Sequence, residues 1–486
     1  MVSRERGVVP QMRQDFIGEN FWDRLHRFGD ALALIDEHTN QNWSYRRLHE
    51  AMLSGRNIIR RPQKKLIFLF ASNDSGAIAC YLSALAAGHL VYLGKGNVEW
   101  HGAAELLDRY RPDFLIWKSA EENAPRGYSG QGKLFDYHVA ERLGGTRIEG
   151  AETALLLSTS GSLGSPKMVR LSVKNISAAA DQVARALRLD SSHRAITTLP
   201  LNFVFGLSVV HGHLHAGASL VLTNRSVQDR AFWHLLDQTK ATSLAGVPWT
   251  CTMLRSLSFD PARHSSLRYL SLSGGRLEPA LLAWLKTLAK DGLDIFSMYG
   301  QTEATGRMCV LAPEYFATKP ESVGKPVEGG KIHCDDDGSI VFQGPNVMLG
   351  YAEDRGDLTD FDALHGKLAT GDFGYLDDDG FLYVAGRTSR IAKLFGSRID
   401  LTEIESFFNG TASVAATCDD HSLQIFVEGG RLPELDRKIA ELVQRLHVPS
   451  HFVVVRIVGK FPRSETGKIR YAALQENRKS GRPTAG

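Results

Sequence analysis

The chain has 486 residues, 43% of them hydrophobic and 23% charged, and its 57 Lys and Arg against 54 Asp and Glu leave a formal charge of +3. That length holds roughly two to four domains, and the near-balance of charge provides no basic footprint for nucleic acid or an anionic membrane surface. Five scattered cysteines (Cys80, Cys251, Cys309, Cys334 and Cys418) show neither zinc spacing nor a disulfide framework, so reduced thiols in a cytoplasmic compartment are expected.

In chain order, residues 1–15 are polar and charged, with no signal-peptide pattern. Residues 66–70 read as a short buried strand, 75–87 as an apolar helix and 90–93 as the next strand. The apolar run 154–157 leads directly into Ser-Thr-Ser-Gly-Ser-Leu-Gly-Ser-Pro-Lys, residues 158–167. Strand-like runs recur at 194–199, 220–222, 243–247 and 269–272. Strands alternating with helices predict an α/β architecture with largely parallel sheets. Residues 195–224 lack Asp, Glu, Lys and Arg, but prolines and glycines interrupt them, so they read as strands and a short helix, not a membrane span. His211, His213 and His215 would share a face only on a strand, have no acid nearby in sequence, and are read as structural or pocket-lining. Asp377-Asp378-Asp379-Gly380 is a turn before a strand at 381–384. A boundary near 386–390 leaves about a hundred residues, including a helical stretch at 434–446, for a small α+β domain.

The loop at 158–167 suits a polyphosphate. Gly161 and Gly164 tolerate backbone angles that let N–H groups and hydroxyls converge on one anion, and Lys167 adds a point charge. It is not a Walker A loop, because Pro166 precedes the lysine and Met168 follows it. Four further stretches accompany it in order: Met298-Tyr299-Gly300-Gln301-Thr302-Glu303, Thr370-Gly371-Asp372-Phe373-Gly374, Gly386-Arg387, and Pro462-Arg463-Ser464-Glu465-Thr466-Gly467-Lys468-Ile469. Together they resemble the motif set of the adenylate-forming superfamily, which holds acyl-CoA synthetases, aryl-acid ligases, peptide-synthetase adenylation domains and luciferases. The resemblance runs from about residue 30 to about residue 475.

The resemblance implies a large N-terminal α/β domain of mixed, largely parallel sheets with flanking helices (residues 1–387). A hinge at 388–390 and a small mobile C-terminal α+β domain (391–486) would follow. It implies that a carboxylate attacks the α-phosphorus of ATP to give acyl-AMP and pyrophosphate, and that the acyl group then passes to the thiol of CoA or of a carrier protein's phosphopantetheine. Thr159, Ser160, Gly161, Ser162, Gly164 and Lys167 match the pyrophosphate loop, and Gly274, Gly275 and Arg276 the turn beside adenine. Tyr299 and Gly300 match the adenine-stacking motif, Thr302 the α-phosphate ligand, and Glu303 the Mg²⁺ ligand, a carboxylate suited to a hard cation. Asp372 and Arg387 match the ribose ligands, and Lys468 the small-domain lysine that bridges carboxylate and nucleotide. Phe203, Val204, Gly206, Met298 and Gln301 would line the acyl pocket, Gly396 and Arg398 the thiol tunnel.

Three departures matter. Leu163 stands where the loop usually has Thr, and Ser389 where many relatives carry Asp or Lys. No acid between Asp190 and Asp229 is available to pair with an α-ammonium, which argues against an amino-acid substrate. The expectation is thus a CoA ligase of an acyl or aryl acid, with a carrier-protein ligase or stand-alone amino-acid adenylation domain as enzyme alternatives. A degenerate nucleotide-binding regulatory protein, motivated by Leu163, is the alternative from another class.

Overall fold

The computed structural model describes residues 20–118, 123–144, 148, 150–158, 167–336, 338–387, 391–394, 397–408, 411–418, 422–430, 433–446, 448–462, 469 and 474. The strand Leu66–Ala71, a run of Leu, Ile, Phe and Ala, is buried along its whole length. A strand that is apolar on both faces needs cover on both, and the layers supply it.

Among the described residues, a nine-stranded sheet has a parallel centre formed by Asp294–Tyr299, Tyr269–Leu272, Ser243–Gly246, Arg194–Ile196, Ser219–Leu222 and Leu32–Asp36. An eight-stranded sheet is parallel across Thr153–Ser158, Leu90–Lys95, Leu66–Ala71 and Phe114–Trp117, and antiparallel at its flanks. The main core lies between these two sheets. The helices Tyr45–Ile59, Ser75–Ala86, Val173–Ala186 and Val204–His215 bury residues against both. Second and third cores cover the outer face of each sheet. The strand and helix expectations therefore hold, with boundaries moved by a few residues: the strand expected at 194–199 ends at Ile196, and the helix at 75–87 ends at Ala86.

Some helix starts are set by side chains that accept otherwise unpaired N–H groups. Asp74 accepts from the Ala77 amide at 2.8 Å, and Ser172 forms a reciprocal box with Asn175. A four-stranded antiparallel sheet, Lys331–Cys334, Ser339–Gln343, Lys367–Leu376 and Leu382–Arg387, follows in the chain. Residues beyond 391 gather around a separate core of Ile399, Ile404, Ile425, Leu435 and Leu442. There the strands Val414–Cys418, Leu423–Glu428 and Val453–Val458 carry the helices Leu401–Phe407 and Pro433–Leu446. No described helix is long and apolar enough to cross a membrane.

The three histidines lie on the helix Val204–His215, and His211 and His213 are buried there. His211 Nε2 pairs with the Tyr81 hydroxyl at 3.0 Å and stacks on its ring; His213 Nδ1 pairs with the Val209 carbonyl at 2.8 Å. No group of three or more metal-binding side chains forms among the described residues. Burial pushes the pKa of His211 down to about 3 and that of His213 to about 4. The unfolded chain binds those protons first, so stability is complete above about pH 6.5 and falls as pH drops toward 4. Urea midpoints between pH 7 and 4.5 check this, and His211→Asn should flatten the slope.

Arg170, 2% exposed, ties the strand Met168–Ser172 to the segment after Gly350. Its Nε, Nη1 and Nη2 donate to the carbonyls of Tyr351, Asp360 and Phe361 at 3.1, 2.7 and 3.2 Å. Arg170→Met leaves those acceptors unpaired and should destabilise the fold by about 2–4 kcal/mol, read from urea unfolding.

Candidate functional site

The parallel strand Asp294–Tyr299 ends at Tyr299, and the chain bends back through Gly300 and Gln301 into a single 3-10 turn, Thr302–Ala304. The bend is closed by backbone bonds from Gly306 N to Gln301 O at 2.9 Å and from Met308 N to Tyr299 O at 2.8 Å. The two limbs approach so closely that a Cβ on Gly300 would collide with the Gly306 carbonyl. Only glycine fits there.

Asp372 comes from the strand Lys367–Leu376 of the four-stranded sheet and is 3% exposed. Its Oδ2 accepts from the Tyr299 hydroxyl at 2.5 Å and from Gln301 Nε2 at 2.7 Å. The Gln301 amide also donates to the Thr370 carbonyl at 2.8 Å. Gln301, read from sequence as an acyl-pocket residue, therefore braces Asp372. Its register partner across the sheet is Arg387.

A cavity of about 470 Å³ opens at this junction. Gly274, Gly275, Arg276, Met298, Tyr299, Gly300 and Asp372 line it together. The sequence reading gave six of them to the nucleotide site and Met298 to the acyl pocket; one cavity gathers all seven, although they span about a hundred positions. The stacked pair Tyr375 and Tyr383, cross-strand partners with ring centroids 5.0 Å apart, lines it as well. Sequence reasoning missed both, since alternation along the strand signals only that they share a face.

Glu303 is not among the residues that line this cavity and is 8% exposed. Its Oε1 accepts from the Tyr351 hydroxyl at 3.0 Å, and its Oε2 is buried without a hydrogen-bond partner among the described residues. Lys167 Nζ stands 5.8 Å from the Tyr351 ring centroid and 3.1 Å from Glu353 Oε1. Tyr351 thus links the last residue of the predicted phosphate loop to the predicted metal carboxylate. It lies 48 positions from Glu303 and had no sequence signal of its own.

Phe203 precedes the helix Val204–His215 and is 46% exposed, whereas Gly206 packs against the carbonyls of Leu199 and Pro200. Neither they nor Val204 line the 470 Å³ cavity. Thr302 opens the 3-10 turn beside Glu303. Residues Thr159, Ser160, Gly161, Ser162, Leu163, Gly164, Ser389, Gly396 and Lys468 lie outside the described residues, as do the side chains of Arg387 and Arg398.

A model of the AMP-binding enzyme family matches residues 21–352. The chain belongs to that family. Within it, the chain is 31% identical over 349 residues to the 2-succinylbenzoate–CoA ligase of Bacillus subtilis, covering 67% of this chain and 69% of the ligase. It is 30% identical over 350 residues to that of Bacillus velezensis, covering 68% and 69%. A solved o-succinylbenzoate CoA synthetase from Bacillus subtilis, bound with a product analogue, superposes with TM-score 0.70 at 23% identity over 94% of this chain and 98% of that one. The amide bond synthetase McbA from Marinactinospora thermotolerans gives TM-score 0.71 at 20% identity, covering 94% and 99%. These structures share the family's fold, and the resemblance to the adenylate-forming superfamily is borne out. For an AMP-binding enzyme, Gln301→Met removes one of the two donors shown holding Asp372. It should weaken AMP binding about tenfold by calorimetry while leaving the melting temperature within a few degrees.

Proposed function

We propose that this protein is an ATP-dependent acid–thiol ligase. A carboxylate oxygen attacks the α-phosphorus of ATP, the bond to the β-phosphate oxygen breaks, and pyrophosphate leaves. The thiol sulfur then attacks the acyl carbon, giving a thioester and AMP. The observation that carries this reading is the joining of Asp372, Tyr299 and the Gly274–Gly275 turn around one cavity in an AMP-binding enzyme. The substrate class is an aryl or acyl acid, as in relatives named 2-succinylbenzoate–CoA ligases, and CoA is the acceptor. A carrier protein is the alternative acceptor.

Attack of one anion on another is slow unless charge is neutralised and the partners are held in line. On this reading Asp372 accepts from the ribose hydroxyls, joined by Arg387, and the 159–167 loop with Thr302 holds the phosphates. Lys468 brings an ammonium to the carboxylate and leaves when the small domain, residues 391–486, rotates about 388–390. Glu303 fits a divalent cation: one oxygen is anchored by Tyr351 and the other is a buried anionic donor with no partner among the described residues. Bound there, Mg²⁺ would neutralise phosphate charge. That Glu303, Asp372, Arg387 and Lys468 are all intact also speaks against a degenerate regulatory protein. We assign the protein to the cytoplasm on its free cysteines.

A pyrophosphate-exchange screen over aryl, fatty and amino acids, with CoA present and absent, tests the assignment; ATP binding without acid-dependent turnover would refute it. Lys468→Ala should lose acid-dependent exchange by about 100-fold or more yet still convert preformed acyl-AMP to thioester. Glu303→Gln should raise the Mg²⁺ needed for half-maximal exchange, and unchanged Mg²⁺ dependence would remove the metal role.

A further inference from the structure

One wall of the cavity belongs to none of the sequence motifs. Tyr375 and Tyr383 line it, with ring planes at 5° to one another and centroids 5.0 Å apart. Tyr375 is 57% exposed, a large aromatic side chain left uncovered at a cavity wall. It stands three positions after Asp372 on the strand Lys367–Leu376. Strict alternation would turn these two side chains to opposite faces. The register with the strand Leu382–Arg387 shifts between Phe373 and Gly374, and a bulge of this kind twists a strand and re-aims the side chains that follow. Both Asp372 and Tyr375 line the one cavity.

The aromatic wall is braced from outside. Lys319 Nζ donates to Asp377 Oδ2 at 2.5 Å and to Asp379 Oδ2 at 2.8 Å, in the turn that joins the two tyrosine-bearing strands, and lies 4.6 Å from the centre of the Phe381 ring. Asp377 Oδ1 accepts from the amides of Asp379 and Phe381 at 3.1 and 2.9 Å, so the lysine grips a turn that is already closed. On the lysine's own side, Pro320, Glu321 and Val323 line the same cavity. Val323 N donates to the Leu382 carbonyl at 3.0 Å and Leu382 N to the Gly324 carbonyl at 2.9 Å. Lys319 thus fastens one cavity-lining segment to the hairpin that carries the other. A wall ordered before the ligand arrives loses little freedom on binding.

We infer that Tyr375, backed by Tyr383, is a specificity-determining residue that packs against the outer part of the nucleotide's purine, and that Lys319 is the positioning residue for that wall. This rests on the reading of Asp372 as the ribose ligand. Asp372 and Tyr375 are about 10 Å apart along the strand, and the base is the part of the nucleotide that extends from the ribose. A purine's second ring carries across that gap, whereas a pyrimidine stops short of it. Phe203, Val204 and Gly206, expected around the acid, line none of this cavity, so the wall serves the nucleotide. The contact is made by the ring of Tyr375, and its hydroxyl is dispensable.

The test is calorimetric titration of the full-length protein with AMP, and with CMP in competition against AMP. The unaltered protein should prefer AMP by about tenfold or more. Tyr375→Ala should weaken AMP about tenfold and leave CMP unchanged, while Tyr375→Phe keeps the affinity for AMP. Lys319→Met should weaken AMP about threefold with CMP again unchanged, and Lys319→Arg should restore it. Equal affinities for AMP and CMP in the unaltered protein would overturn the inference without the need for any variant to fold. Equal loss of both nucleotides in Tyr375→Ala would give the tyrosine a structural role and overturn it too. Asp372→Asn separates the two readings. If it weakens AMP and Tyr375→Ala does not, the aromatic wall alone is refuted; if Asp372→Asn leaves AMP binding untouched, the ribose reading falls and this inference with it.

Discussion

A carboxylate taken out of water must be given hydrogen bonds, and Asp372 is where this protein meets that demand. The Tyr299 hydroxyl and the Gln301 amide supply it from the end of the nine-stranded sheet, while Asp372 itself belongs to the four-stranded sheet. The same atoms therefore dock one sheet against the other and shape the cavity between them. Without them a buried polar group would be left unsatisfied, a cost that opening the junction to solvent would relieve. The glycine turn after Leu272 and the Tyr375–Tyr383 pair then close the cavity around a group already fixed in place. An acceptor desolvated in advance is what a site needs if it is to bind ribose hydroxyls without reorganising.

Much of this was legible in the sequence because the signals were local. Runs such as 66–71 and 75–86 are apolar throughout and became buried strand and buried helix. The short motifs around Gly274, Tyr299 and Asp372 each sit at a strand end or on a strand; the parallel order of the nine-stranded sheet sets the first two side by side, and the antiparallel four-stranded sheet brings Asp372 to them. What could not be read were the contacts made between distant segments. Tyr351 reaches Glu303 only because Gly350–Ala352 pairs with Met168–Ser172, and no pattern in either segment announces it. Gln301 was assigned to the acyl pocket because the family resemblance puts that stretch beside it, but its amide turns to Asp372. Arg307 was overlooked for a related reason. In sequence it is one cation among many, and only its burial, with Nε and Nη2 lacking a hydrogen-bond partner among the described residues, sets it apart.

These observations also weigh the alternatives. An α-amino acid needs an anion beside its ammonium, and the helix Val204–His215 and the bend after Tyr299 offer none apart from Glu303, whose carboxylate is held by Tyr351.

The close approach of Gly300 to Gly306 has a further consequence. One limb of that bend lines the cavity and the other leads into Arg307, with no side chain between them. Any side chain added at Gly300 would press on the Gly306 backbone and the cavity wall together, so this stretch of the wall is set by main chain and can be reshaped only through the residues around it.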